Sequence, residues 1–118
     1  MAIEPGTYNF TLQRRSDHSI PLLFKDGNDN AIDLTGFTVE AQVWNKGRTT
    51  KFADFTTTYT DRSAGSVSIA LTDTQTATFT QDFLHYDVLL TDSSGLKEYY
   101  LEGIITVSEG YTSWLLLM

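Results

Sequence analysis

Apolar and polar residues alternate along most of this sequence, and turn-forming residues interrupt the alternation repeatedly. The clearest example is the segment 37–44, in which Phe37, Val39, Ala41 and Val43 share one face and Trp44 lies with polar residues on the other. Successive side chains of a β-strand point to opposite faces, so this pattern predicts a strand with one buried face. The 18 threonines favour the same conformation, because β-branched side chains fit a pleated sheet better than a helix.

The alternation predicts seven to eight short strands. They cover residues 7–13, 20–24, 37–44, 51–60, 66–71, 83–90 and 99–107, with a short extended piece at 31–36. This spacing predicts an all-β fold, an antiparallel β-sandwich of immunoglobulin-like type, with a closed barrel as the alternative. Residues 1–108 form the predicted sandwich domain, and residues 109–118 form an apolar extension. A helical turn is predicted after Thr72, because Gln75 three residues later completes a capping-box pattern.

The charge balance of the chain argues against two classes of partner. The sequence has 15 acidic and 8 basic residues, a formal charge of −7, and Arg14–Arg15 as its one adjacent basic pair. Nucleic acids and anionic membranes are bound by clustered basic side chains, so neither is predicted as a partner. We also expect no signal peptide and no membrane span, because the longest apolar run has five residues and a spanning helix needs about 20. Because the sequence contains no cysteine, it can form no disulfide and no thiolate metal site.

The residues that could carry chemistry form no catalytic pattern. His85 and Asp87 are two apart on one predicted strand and therefore share a face, but no nucleophile signature accompanies them. We interpret them as a polar pair on the solvent side of the sheet. His18 is predicted to be a surface residue of the polar connection between the first two strands. We predict no catalytic residue and no cofactor.

The run Asp26–Asn30 begins like a calcium-binding loop, with oxygen-bearing side chains at alternate positions. Such a loop also needs glycine at its sixth position and a bidentate glutamate at its twelfth. Here those positions hold Ala31 and Phe37. The run is therefore predicted to be a turn, and no metal site is predicted.

Two features predict an interface. The first is the apolar run Trp114–Met118, whose side chains are costly to expose, at about 25 cal/mol per Å² of apolar surface. They must dock on their own domain or on a neighbouring subunit, and we favour the neighbour because the sandwich is complete at Val107. Trp44, on the polar face of its strand, could anchor a partner or stack on a sugar; alternatively it covers an edge or joins the core through a bulge. The predicted interface residues are Trp44, Tyr111, Trp114, Leu115, Leu116, Leu117 and Met118.

Six segments occur in a characteristic order: Gly6–Leu12, Ile20–Asn28, Ile32–Val39 with its Ile-Asp-Leu-Thr-Gly run, Gly65–Ile69, Leu71–Thr76 and the closing strand Tyr99–Val107. This order resembles a known family, the immunoglobulin-like N-terminal domain of phage baseplate upper proteins and related tail or capsid-associated proteins. The resemblance extends over about residues 6–108.

This resemblance implies a non-enzymatic structural protein of a bacteriophage virion. Its place would be the tail or baseplate, the neck, or the surface of the head. Its partners would be other virion proteins, and it would be a homo-oligomer or a lattice component. The alternative function is a stand-alone carbohydrate-binding module, which would use the aromatic side chains of Trp44, Tyr59 and Tyr100.

Overall fold

The structure, a computed structural model, describes residues 6–112. The nine strands of this part are β1 (Gly6–Thr7), β2 (Phe10–Gln13), β3 (His18–Leu23), β4 (Thr38–Trp44), β5 (Lys51–Asp54), β6 (Thr56–Asp61), β7 (Ser66–Leu71), β8 (Phe83–Thr91) and β9 (Lys97–Ser108). A 3₁₀ turn follows β6 at Arg62–Ala64, and a one-turn helix, α1 (Asp73–Thr76), follows β7. The predicted interface residues Trp114–Met118 lie outside the described residues.

The strands form two sheets. The larger sheet has the order β1-β9-β8-β4-β5, with β2 also paired to β9, and the smaller sheet has the order β3-β7-β6. Apolar residues from both sheets and their connections form one buried cluster. The predicted all-β sandwich is therefore confirmed.

The structure differs from the strand prediction in three details. The described part of the chain has nine strands instead of seven or eight, because the predicted strands 7–13 and 51–60 each divide in two. The piece at 31–36 forms no strand and contributes one isolated bridge, Lys25 to Ala31. The larger sheet is not purely antiparallel either, since β1 and β2 both run parallel to β9. Parallel pairing joins segments that are distant in sequence, so local alternation cannot reveal it.

The first predicted strand divides at Tyr8 and Asn9, which lie between β1 and β2. The Tyr8 N–H still donates to the Glu102 carbonyl at 2.9 Å, and the Asn9 side-chain oxygen accepts from the Ile104 N–H at 2.8 Å. The chain therefore stays on β9 through side-chain and main-chain hydrogen bonds where the regular ladder is interrupted.

The core follows the predicted alternation in the central strands. Alternate residues of β4, β7 and β8 are buried: Val39, Ala41, Val43, Val67, Ile69, Leu71, Leu84, Tyr86, Val88 and Leu90. Two of the most deeply buried side chains, Leu34 and Phe79, come from connections. The Arg62 guanidinium holds the first of these connections, because it donates to the Leu34 carbonyl at 3.2 Å and to the Phe37 carbonyl at 2.8 Å.

The predicted turn chemistry is confirmed at two positions. Thr72 and Gln75 form the capping box at the start of α1, with each side chain bonded to the other residue's backbone N–H. The Asp26 carboxylate accepts from the backbone N–H groups of Asn28 at 2.9 Å and Asn30 at 3.0 Å. The run that begins like a calcium loop is thus held together as a turn by its own side chain.

Candidate functional site

Trp44 lies at the end of β4 on the outer face of the larger sheet. Its indole Nε1 donates to the Gln42 Oε1 at 2.9 Å, and the Arg48 guanidinium carbon lies 4.6 Å from the ring centre. The turn after β4 places Arg48 there, because the Asn45 side-chain oxygen accepts from two backbone N–H groups of the turn and Arg48 itself has a left-handed backbone with φ 56°. The indole therefore has a fixed orientation and carries a cation on one face.

Trp44 forms one wall of an open groove of about 440 Å³, which we call the Trp44 groove. His85, Asp87 and Ile104 line its floor on β8 and β9. Thr7 and Asn9 line the opposite wall, at the crossing between β1 and β2. His85 and Asp87 share one face as predicted.

Two carboxylates lie directly opposite each other on the groove floor. Asp87 of β8 pairs in register with Glu102 of β9, and Gln42 of β4 pairs with Asp87 on the other side. Burial raises the pKa of Asp87, and the Glu102 charge raises it further, while Arg48 lowers it. Like charges in register destabilise a sheet, so this pair opposes folding unless a cation or a hydrogen-bond donor offsets the repulsion.

A second groove lies where the edges of the two sheets face each other. We call it the edge groove; it has a volume of about 410 Å³, and its lining is Tyr8, Ile20–Leu23, Tyr100 and Leu101. None of these side chains is charged. The exposed fraction is 47% for Tyr8 and 53% for Leu23, which is high for large apolar residues. Exposed apolar side chains that meet in one groove make it a candidate interaction site.

Sequence reasoning missed the edge groove, because its lining comes from strands that are distant along the chain. A signal was present in the consecutive apolar residues Leu22, Leu23 and Phe24. Adjacent strand residues face opposite sides, so one member of such a run must lie away from the core. Leu23 is that residue, while Phe24 is fully buried.

The three aromatic residues proposed for sugar stacking are not equivalent. The Tyr59 ring is covered by the Arg62 guanidinium at 3.6 Å, and its hydroxyl accepts from the Val39 N–H at 2.9 Å. The Tyr100 ring packs on Phe24 with 4.3 Å between ring centres. Both tyrosines are therefore half-buried and pack against their own domain through at least one ring contact.

The prediction for His18 is also wrong. It is the first residue of β3, and its ring stacks on Phe10 with 4.8 Å between ring centres and an interplanar angle of 5°. Partial burial lowers the pKa of His18. This side chain is therefore a structural contact at the start of an edge strand.

Ion pairs hold the chain directly after the end of β9. The Glu109 carboxylate accepts from Arg14 at 2.7 Å and from Arg15 at 3.0 Å, and these hydrogen bonds lower the pKa of Glu109. Arg15 also donates to the Gly110 carbonyl, and Gly110 has a left-handed backbone with φ 62°. The next residue, Tyr111, is 93% exposed and does not line the Trp44 groove. The two predicted interface residues that the structure describes, Trp44 and Tyr111, are thus not part of one site.

Within residues 6–112, no three His, Asp or Glu side chains converge as a metal-binding group. No helix in the same part of the chain is long and apolar enough to cross a bilayer. Comparison with models of protein families and with curated proteins finds no match.

Proposed function

We propose that this protein is a structural component of a bacteriophage particle that acts as a scaffold for protein–protein contacts. The observation that supports this role best is the edge groove, an uncharged apolar surface on an otherwise acidic sandwich. An adhesive role needs a stiff body that presents such a surface to a neighbour, and a sandwich with one continuous core supplies it. The partners in this proposal are other virion proteins and further copies of the chain.

The most direct test uses particles purified from cells that encode this chain. Mass spectrometry of gradient-purified particles should find the protein in a fixed stoichiometry with the major structural proteins. Antibodies against the purified protein should label intact particles at a regular position, which would also distinguish head, neck and tail. Absence of the chain from purified particles would refute the proposal.

A second candidate function is carbohydrate binding in the Trp44 groove. The specific observation is the combination of an oriented indole, a guanidinium and paired carboxylates around an open groove. Sugars are bound by aromatic faces together with carboxylate and amide groups that accept and donate hydrogen bonds. Of the three aromatic residues, Trp44 is the one that lines this groove.

A glycan array probed with the purified chain tests the second candidate. A bound glycan should change the tryptophan fluorescence, and Trp44→Ala should abolish binding. Phe83→Ala is the matched control, since Phe83 is 62% exposed and does not line the groove. An array without hits, or equal binding by the Trp44→Ala variant, would exclude carbohydrate binding at this groove.

A further inference from the structure

The edge groove lies between two strands that are not completed by a neighbour along that side. Within the described residues β3 pairs with β7 alone, and β1 forms the end of the larger sheet. Pro21 lies within β3 and has no N–H to offer an added strand, so main-chain pairing at this edge would be incomplete. An occupant of the groove would therefore be held mainly by apolar side chains.

The segment from Gly110 onward has the composition of such an occupant. Residues 110–118 contain no charged side chain, and five consecutive apolar residues, Trp114–Met118, follow Ser113. The groove lining is likewise uncharged. Segment and groove are therefore complementary in chemistry, and burial of both removes apolar surface from water.

The path of the chain decides which copy of the groove the segment can fill. Gly110 is held beside Gln13 and Arg14, at the end of β9 that is marked by the pair Gln13–Ser108. Leu101 lies seven residues before Ser108 on β9, which corresponds to about 23 Å at a rise of roughly 3.3 Å per residue. The groove and the base of the segment are thus near opposite ends of the same strand.

The segment is too short to bring most of its apolar side chains to the Leu101 end of its own groove. Trp114 is four residues beyond Gly110 and can extend at most about 14 Å from it, and Leu116 at most about 21 Å. Leu101 is therefore within reach of Leu117 and Met118 alone. A groove on another molecule carries no such restriction, because the two copies can align freely.

We propose that residues 114–118 of one copy dock into the edge groove of a second copy, so that the chain associates with itself by exchanging this segment. The inference rests on the proposed scaffold function and identifies a second copy of the chain as one of its partners. Two copies that exchange segments reciprocally form a closed dimer, whereas exchange in one direction builds a chain or ring. Docking of a copy's own segment 114–118 into its own groove is the alternative outcome that the test separates.

The test measures self-association of the full chain by sedimentation over a wide range of concentrations. Leu23→Asp places a charge in the groove, and Leu116→Asp places one in the segment; each should weaken association about ten- to hundredfold. Leu96→Asp is the matched control, because Leu96 is 61% exposed but does not line the groove, and it should leave association unchanged. Equal association of all three variants and the wild-type chain would overturn the inference.

Mixing the two defective variants gives the sharper result. Leu23→Asp retains an intact segment and Leu116→Asp retains an intact groove, so the mixture should form a heterodimer at concentrations at which neither variant associates with itself. A mixture that stays monomeric, although the wild-type chain associates, would overturn the exchange. A wild-type chain that is monomeric at every concentration would also overturn it, while mass spectrometry of purified particles would still decide the scaffold function independently.

A fluorescence measurement separates docking within a copy from docking between copies. The sequence has two tryptophans, so Trp44→Phe leaves Trp114 as the single emitter. Its emission should shift to shorter wavelength as concentration rises and the indole leaves water. A short-wavelength emission that does not depend on concentration would mean docking within one copy and would overturn the inference.

Discussion

Replacing Gly103 with alanine should destabilise the fold strongly, because β9 approaches the β1–β2 crossing too closely for a side chain. A Cβ at this position would lie 1.9 Å from the Tyr8 carbonyl oxygen and 3.0 Å from a ring carbon of Tyr86. The Tyr8 carbonyl cannot move away freely, because it accepts from the buried Tyr86 hydroxyl while the Tyr8 N–H donates to Glu102. Either the crossing or the Tyr86 ring must shift.

The expected loss follows from these contacts. Overpacking of this kind costs about 1–3 kcal/mol, and loss of the Tyr86 hydrogen bond adds about 0.5–1.5 kcal/mol. The total of about 1.5–4.5 kcal/mol is a large part of the 5–15 kcal/mol that stabilises a typical domain. Urea unfolding should therefore show a much lower midpoint for Gly103→Ala, with little change in slope.

Gly27→Ala is the matched control, since no atom lies within 4 Å of a Cβ built there. It should change the free energy of unfolding by less than about 0.5 kcal/mol. Tyr86→Phe should cost less in the Gly103→Ala background than in the wild-type chain, because the hydroxyl bond is already lost there. A Gly103→Ala variant as stable as the Gly27→Ala control would refute the close approach of Tyr8 to β9.

Three further substitutions test other parts of the structure. Burial raises the pKa of Asp87 in the folded state, so ionisation of this carboxyl destabilises the fold as pH rises through that pKa. Asp87→Asn removes the charge and should therefore increase the free energy of unfolding at pH 7 by less than about 1 kcal/mol. The gain should vanish below about pH 3, and a loss at pH 7 in thermal unfolding would contradict it. Arg62→Lys should cost about 1–3 kcal/mol in urea unfolding, since lysine cannot both stack on Tyr59 and bond two carbonyls; an unchanged midpoint would argue against this role. Thr72→Ala should cost about 0.5–2 kcal/mol by removing the capping box of α1, while Thr72→Ser should retain most of it, and equal losses would contradict the capping role.

The parts of the fold that depend on local chemistry could be predicted from the sequence. Alternation over 37–44 correctly located Val39, Ala41 and Val43 in the core and Trp44 on the outer face. The capping box at Thr72 was also recognisable, since its partners are three residues apart. In each case the relevant contacts are made within one strand or one turn, so residue type and spacing carry the information.

The two grooves could not be predicted in the same way, because each is assembled from segments that are distant along the chain. The edge groove joins Tyr8 to Leu22 and Leu101, which belong to three separate predicted strands. The pairing of Asp87 with Glu102 depends on the register between β8 and β9, which shifts between Val88 and Leu89. A register shift of one residue reverses the face of every later side chain, and periodicity within one strand does not report it.

The amino-acid sequence by itself determined that this chain builds a sheet protein with an acidic surface and an uncharged segment after Gly110, because alternation, turn residues and charge are local properties. Only the tertiary structure decided that β1 and β2 run parallel to β9 and that apolar side chains of the two sheet edges face one another across a groove. The physical reason is that strand order and register are selected by the packing of distant segments, which no single stretch of the sequence contains.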